Sequence, residues 1–486
     1  MSATPAAPRP SLLRRVVRAL RKPLLWVLIA AATVYLVRAI DSRSMPDLEL
    51  WHTVRLDAEF RAADGAAAFS DYLAAEERLF AELDRDVYDA FQASAQDYFC
   101  RYDAGGPSDP RGPGNWNRTF ELEPEEPRGG ALLVHGLTDS PYSLRRVGEI
   151  LRDAGYYVLG LRLPGHGTTP GSLADVAWRD WSAAVRLAAL HVEERIGEAA
   201  PFVLVGYSAG GALAVLHAAS VVLEGGARVP DRLILFSPAI GVGPLATVAS
   251  WHRALSWMPF FAKFRWSSIE PEYDPFKYNS FPKNGGEQMF RLAGAVQERL
   301  AELARAGRTA ELPAMLAYQS LVDATVLTGA VVGLFEKLAE NGSELVLFDI
   351  NRAASLRPFV GPLERTDLER LQQEAARAYR LTVVTNVSEE TAAVAATAFA
   401  PHSSAGETTA LGESWPAGVY SLSHVALPFP PDDPIYGAEP SSAGGLHLGT
   451  VQPRGERGLL RVSVNQLMRL RYNPFFEFVE ARLPAE

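Results

Sequence analysis

In Gly206-Tyr207-Ser208-Ala209-Gly210 a single hydroxyl sits between two glycines, after the apolar run Phe202–Val205 and before the helix-forming stretch GALAVLHAA. A strand that ends in Gly-x-Ser-x-Gly and turns at once into a helix brings two backbones very close, which only small residues at positions 206 and 210 permit. Such a turn lifts the Ser208 hydroxyl clear of the sheet. It also aims the first amides of the helix, that of Ala209 foremost, at any negative charge developing beside the serine. In a chain with 39 glycines the pentapeptide alone could arise by chance. The strand before it and the helix after it make it a nucleophile motif.

A serine hydroxyl is a poor nucleophile at neutral pH and needs a base within hydrogen-bond reach, itself oriented by a carboxylate. Three histidines lie far enough downstream to serve: His402 in FAPHSSAG, His424 in VYSLSHVALPFPPDDP, and His447 in a Gly-rich turn. His424 is preferred because it follows a strand-like apolar run that could hold it over the serine. His402 is the next candidate. For the acid, Asp323 follows the run AMLAYQS and Asp349 ends ELVLFDI. Either could reach the histidine, and either could instead cap a turn; Asp323 is favoured because its strand comes earlier, leaving a helix between acid and base. A second oxyanion donor is expected from the loop after the first central strand, where Gly136 lets the amide of Leu137 turn toward a carbonyl oxygen. His135 beside it reads as a structural hydrogen-bonding residue.

These residues need a scaffold, and the apolar runs supply one. TFELE, GALLVHG, YYVLGLRL, FVLVGYS, RLILFSPA, AMLAYQS and ELVLFDI are short and β-rich, and most are separated by helical or loop stretches. That alternation predicts an α/β fold: a mostly parallel sheet with helices on both faces. The expected division is a basic flank and apolar helix at 1–45, a helical segment and Pro/Gly linker at 46–115, core at 116–240, a cap insertion at 241–312, and core again at 313–486. The last part is interrupted at about 352–415. The cap stretch is rich in aromatics (Trp251, Trp257, Phe260, Phe261, Phe264, Trp266), at the sheet edge where such folds bind ligands. Each ring could equally serve packing.

Composition narrows the function classes. A chain with 48% hydrophobic and 21% charged residues is an ordinary globular composition, and a net charge of −10 disfavours nucleic acid as a partner. The first forty residues run against that charge: Arg9, Arg14, Arg15, Arg18, Arg21, Lys22 and Arg38 have no acidic counterpart there. Pro23–Ile40 then reads PLLWVLIAAATVYLVRAI, long enough to cross a thin bilayer with Arg38 snorkelling. The positive-inside rule predicts a cytoplasmic N-terminus and a body on the other side. A cleaved signal peptide with its site at Ala30–Ala32 is the rival reading. SLLRRVVRALRK ahead of the run could lie amphipathically on the inner leaflet or be only a solvated flank. The lone Cys100 has no partner for a disulfide and no metal-site spacing.

VHGLTDSPYSLRRVGEILRDAGYYVLGLRLPGHGTTP, followed by GYSAGG, resembles the alpha/beta-hydrolase family of bacterial carboxylesterases and monoacylglycerol lipases, also grouped with serine aminopeptidase-like hydrolases. The likeness runs from Leu132 to Pro238 and more loosely from Asp323 to His424. It implies Ser208 as nucleophile, Leu137 and Ala209 as oxyanion donors, Asp323 as acid, His424 as base, and no metal or cofactor. It further implies a carboxylic ester substrate, such as a lysolipid or monoacylglycerol supplied by the membrane. An acyltransferase using the same triad, or a membrane-tethered binding protein without turnover, would share these motifs. Two departures stand out: the long detour before the histidine, and the N-terminal helix and helical segment ahead of the fold.

Overall fold

The computed structural model describes residues 12–65, 68–92, 99–112, 114–241, 259–323, 325–353, 355, 365–440, 446–449 and 470–483. At 12–20, 31, 38, 41, 259–261 and 365–367 it describes the backbone alone. Trp251 and Trp257, and the side chains of Arg38, Phe260 and Phe261, therefore lie outside the described residues.

Strands β1 (Phe120–Leu122), β2 (Gly129–Val134), β3 (Tyr156–Leu161), β4 (Phe202–Tyr207) and β5 (Arg232–Phe236) precede a short ribbon, β6 (Trp266–Ser268) with β7 (Phe281–Pro282). Then come β8 (Ala314–Ser320), β9 (Glu344–Phe348), β10 (Arg380–Asn386), β11 (Ala393–Phe399) and β12 (Gly406–Ser414). All but the ribbon join one ten-stranded sheet in the order β1-β3-β2-β4-β5-β8-β9-β10-β11-β12. Every neighbouring pair from β3 through β10 is parallel, and β1, β11 and β12 are antiparallel edges. This is the expected α/β architecture. One expectation is corrected: the 352–415 stretch extends the sheet by three strands and does not interrupt it.

The major helices are α1 (Leu12–Ser44), α2 (Phe69–Leu83), α3 (Arg145–Asp153), α4 (Trp178–Ile196), α5 (Ala209–Glu224), α6 (Lys283–Ala306), α7 (Thr328–Phe335), α8 (Arg365–Gln373) and α9 (Phe476–Glu480). Because successive strand residues face opposite sides, the central strands feed two cores. Leu132, Val134, Leu204, Leu233, Leu235 and Leu345 pack with α2 and with α4 through α8. Ala131, Leu133, Val205, Ile234, Phe236 and Phe348 pack with α3, α9 and the segment holding Val419 and Leu422. Both faces are covered, which is why β2 and β4 are buried at every residue. Helix α6 belongs to the first of these layers, although its sequence falls inside the expected cap. Its Leu292, Val296, Leu300 and Leu303 share the core with α5.

The N-terminal segment is built onto the body. Arg162, at the end of β3, is fully buried and paired at 3.0 Å with both Glu59 and Glu76 of that segment. Phe60, Phe69 and Tyr72 enter the main core beside it. Ahead of this segment α1 passes through Pro23 without a break, so the basic flank continues the apolar helix. Its Arg21–Ser44 portion has a mean hydropathy of 1.9 and none of its apolar window is buried in the protein. The C-terminal end of α1 is pinned: Lys263 donates to the Met45 carbonyl at 3.1 Å and pairs with Asp47 at 2.7 Å.

Candidate active site

Ser208 sits where β4 ends and α5 begins, with φ +53° and ψ −112°. Backbone in that region costs a non-glycine residue about 1–3 kcal/mol and persists only where neighbours enforce it. Here they do. The Ser208 amide donates to the Phe236 carbonyl at 2.9 Å, and the Ser208 carbonyl accepts from Ala239 at 2.9 Å and Ala212 at 3.2 Å. The flanking glycines are obligatory: a Cβ on Gly206 would fall 2.5 Å from the Gly210 carbonyl oxygen, and one on Gly210 would fall 1.9 Å from that of Val134. As the first residue of α5, Ala209 has no carbonyl one turn back for its amide to reach.

The loop after β2 lies against this turn. A Cβ on Gly136 would stand 3.2 Å from the Ser208 Cβ and 3.0 Å from the Tyr207 ring, so the loop comes up against the serine. His135 anchors the loop from below. Its Nδ1 pairs with the Gly136 carbonyl at 2.8 Å and its Nε2 accepts from the Leu163 amide at 3.0 Å. Burial holds its pKa well below the usual histidine range. It makes the structural hydrogen bonds expected of it.

Asp323 and His424 come together from opposite ends of the second half of the chain. Asp323 follows β8, and its Oδ1 accepts from the amides of Thr325 at 2.9 Å and Val326 at 3.0 Å. The Gln319 side-chain amide donates to Oδ2 at 3.3 Å. With the carboxylate so oriented and fully buried, Oδ1 stands 3.7 Å from Nδ1 of His424, a charge contact longer than a hydrogen bond. His424 opens a short 3₁₀ turn, His424–Ala426. Burial is the largest influence on its pKa and pushes it below the usual range. Asp323 pulls it up, Lys277 adds to the depression, and Asp139 opposes it.

The rival candidates are engaged elsewhere. Asp349 holds a close ion pair with Arg352 and accepts from Thr385 Oγ1 at 2.9 Å. His402 is an exposed turn residue at φ +57°, with Nε2 3.4 Å from Glu340. His447 pairs with the Gly437 carbonyl at 3.0 Å. The long detour before His424 also finds its reason. The Asn351 amide donates to the Tyr420 carbonyl at 2.7 Å and its side chain to that of Val419 at 2.8 Å, so the chain returns to where it left. The run leading into His424 is thus an irregular stapled segment and not the strand expected from its apolar character.

A model of the alpha/beta hydrolase family matches residues 131–397, which takes in the serine turn, the loop after β2 and Asp323. The chain belongs to the alpha/beta hydrolase family. A thermostable monoacylglycerol lipase from Bacillus sp. (strain H-257) is 45% identical over 56 residues, which cover 12% of this chain and 22% of the lipase. The match thus spans well under two thirds of that relative. Among solved structures, that of the Paleococcus ferrophilus monoacylglycerol lipase aligns at 18% identity and a TM-score of 0.35, covering 48% of this alpha/beta hydrolase and 89% of that chain. A structure reported for the metagenome-derived lipolytic enzymes LipS and LipT aligns at 21% identity and a TM-score of 0.36, covering 48% and 87%.

Two residues at the site escaped the sequence reading. Asp139, three positions after Gly136, is buried and paired at 2.9 Å with Lys277. Nothing in the sequence links positions 138 residues apart. The only local signal was an acid inside a loop otherwise built for backbone contacts.

Proposed function

We propose that this alpha/beta hydrolase cleaves carboxylic esters through an acyl-enzyme on Ser208. The observation that carries the reading is the left-handed Ser208 turn, held by hydrogen bonds on both sides and faced by the Gly136 loop. With its Nδ1 toward Asp323, His424 keeps Nε2 as the basic nitrogen. Ser208 Oγ bonds to the ester carbonyl carbon as its proton passes to His424. The amides of Leu137 and Ala209 hold the oxyanion, and as the tetrahedral intermediate collapses the alcohol leaves with that proton. Water then attacks the acyl carbonyl, gives a proton to His424, and the acid departs as Ser208 recovers its own.

The substrate class we favour is a monoacyl lipid ester. Its support is the short stretch shared with the Bacillus monoacylglycerol lipase and the exposed apolar helix, whose Leu24 and Trp26 are 59% and 69% accessible. We place α1 across a bilayer as an uncleaved anchor, N-terminus inside. Retention of the full-length chain in the membrane pellet after alkaline carbonate supports this, and a shorter soluble chain refutes it. For the chemistry, a fluorophosphonate probe should label Ser208, and Ser208→Ala should lose both labelling and hydrolysis of p-nitrophenyl and monoacylglycerol esters. A folded wild type that neither labels nor hydrolyses would end the reading.

A further inference from the structure

We infer that Lys277 and Asp139 form a positioning clamp that holds the oxyanion loop in shape against Ser208, an inference that rests on the ester-cleaving reading above. The loop is tight. Thr138 is at φ +67° and the Asp139 amide closes a turn onto the Gly136 carbonyl at 3.3 Å. The Asp139 carboxylate folds back over Gly136, with Oδ2 only 2.8 Å from where a Cβ would stand. A loop carrying a strained residue and a buried carboxylate keeps that form only if something outside it compensates.

The strap formed by residues 259–282 supplies that compensation in two adjacent contacts. Lys277 Nζ donates to Asp139 Oδ1 at 2.9 Å, and the Tyr278 amide donates to the Thr138 carbonyl at 2.8 Å. Tyr278 fixes the strap in turn, its hydroxyl accepting from the Thr168 amide at 2.9 Å and donating to the Gly165 carbonyl at 3.2 Å. Asp139 is 8% exposed and Lys277 25%, so this pair is far better shielded than a surface ion pair. The other acid on the strap near it, Asp274, is occupied by Arg471 at 3.0 Å and by Tyr436. Among the described residues, Lys277 is the cation paired with Asp139.

The charges of the same pair also reach His424. The charged groups that act on this histidine are Asp323 from the loop after β8, Lys277 from the strap and Asp139 from the oxyanion loop, and the last two act in opposite directions. Their effects separate a clamp at the site from a merely structural pair. Loss of Lys277 removes a depressing charge, so the acid limb of kcat/KM should move to higher pH. Loss of the Asp139 charge removes a raising one, so the limb should move to lower pH.

The experiment uses the full chain in detergent. Lys277→Met should lower kcat roughly tenfold to a hundredfold, as a displaced oxyanion donor does, with KM changing less than about threefold. Lys277→Arg should recover most of that loss. Asp139→Asn should lower kcat and shift the limb the other way. Hydrogen exchange at the 137–140 amides should quicken in Lys277→Met while exchange in α5 stays as in the wild type. Unchanged exchange in the loop, or acid limbs that move in the same direction, would overturn the clamp. Failure of the ester-cleaving reading is told apart by a wild type that does not label at Ser208; the exchange measurement still decides the clamp in that case.

Discussion

The contact between Asp323 and His424 has a size that can be tested. On the proposed mechanism His424 becomes an imidazolium during acylation, and the buried carboxylate stands 3.7 Å from its Nδ1. At that separation and an effective dielectric of ~20, a pair of unit charges is worth about 4.5 kcal/mol. Removing it from the transition state costs roughly three decades in kcat/KM. Asp323→Asn is the right perturbation, because the amide oxygen can still accept from Thr325 and Val326. The loop therefore keeps its shape while the charge goes. Asp323 raises the pKa of His424 against burial, so its loss should also carry the acid limb of the pH profile to lower pH. The assay is p-nitrophenyl ester hydrolysis from pH 4 to 9, with circular dichroism to show an intact fold and Asp349→Asn as the control acid. An Asp323→Asn enzyme within tenfold of the wild type, with its acid limb unmoved, would refute the argument.

Arg162→Met leaves Glu59 and Glu76 buried without their cation, and should cost about 3–5 kcal/mol, read as a lower midpoint of thermal unfolding; an unchanged midpoint would show that the Arg162 ion pairs are not what joins the N-terminal segment to the body. Gly210→Ala places a methyl against the Val134 carbonyl. It should destabilise by at least about 1–3 kcal/mol in urea titration, and a variant as stable and active as the wild type would mean that the serine turn tolerates a side chain there.

What could be read ahead of the structure was whatever depends on neighbours in sequence. The Gly206, Ser208 and Gly210 pattern demands a particular turn within five residues, and the buried strands β2 to β5 announce themselves as unbroken apolar runs. The edge strands β11 and β12 did not. β11 is rich in alanine and β12 is exposed along most of its length, so neither carries the β-branched alternation by which strands are recognised. α6 lies in the stretch expected as a cap, and the sequence could not tell the two apart: a helix between two sheet strands and a helix in a cap have the same amphipathic pattern, and only the partner differs. Asp323 and Asp349 both end apolar strands. Arg352 and Thr385 occupy the latter, and neither partner is legible from the sequence.

The staple at Asn351 changes how the distance between acid and base should be counted. The excursion that begins after Asn351 and ends at Val419 starts and finishes at one point in space, so it is a cassette plugged into a socket whose two contacts are already joined. The entropy of closing such a loop grows only with the logarithm of its length, about 0.6 kcal/mol for each doubling. Residues could be added to or removed from the far end of the cassette, beyond β11, while His424 stayed over the same spot. For this chain, the gap in sequence between the Asp323 carboxylate and the His424 imidazole records the length of a detour whose two ends are joined by two hydrogen bonds from one asparagine.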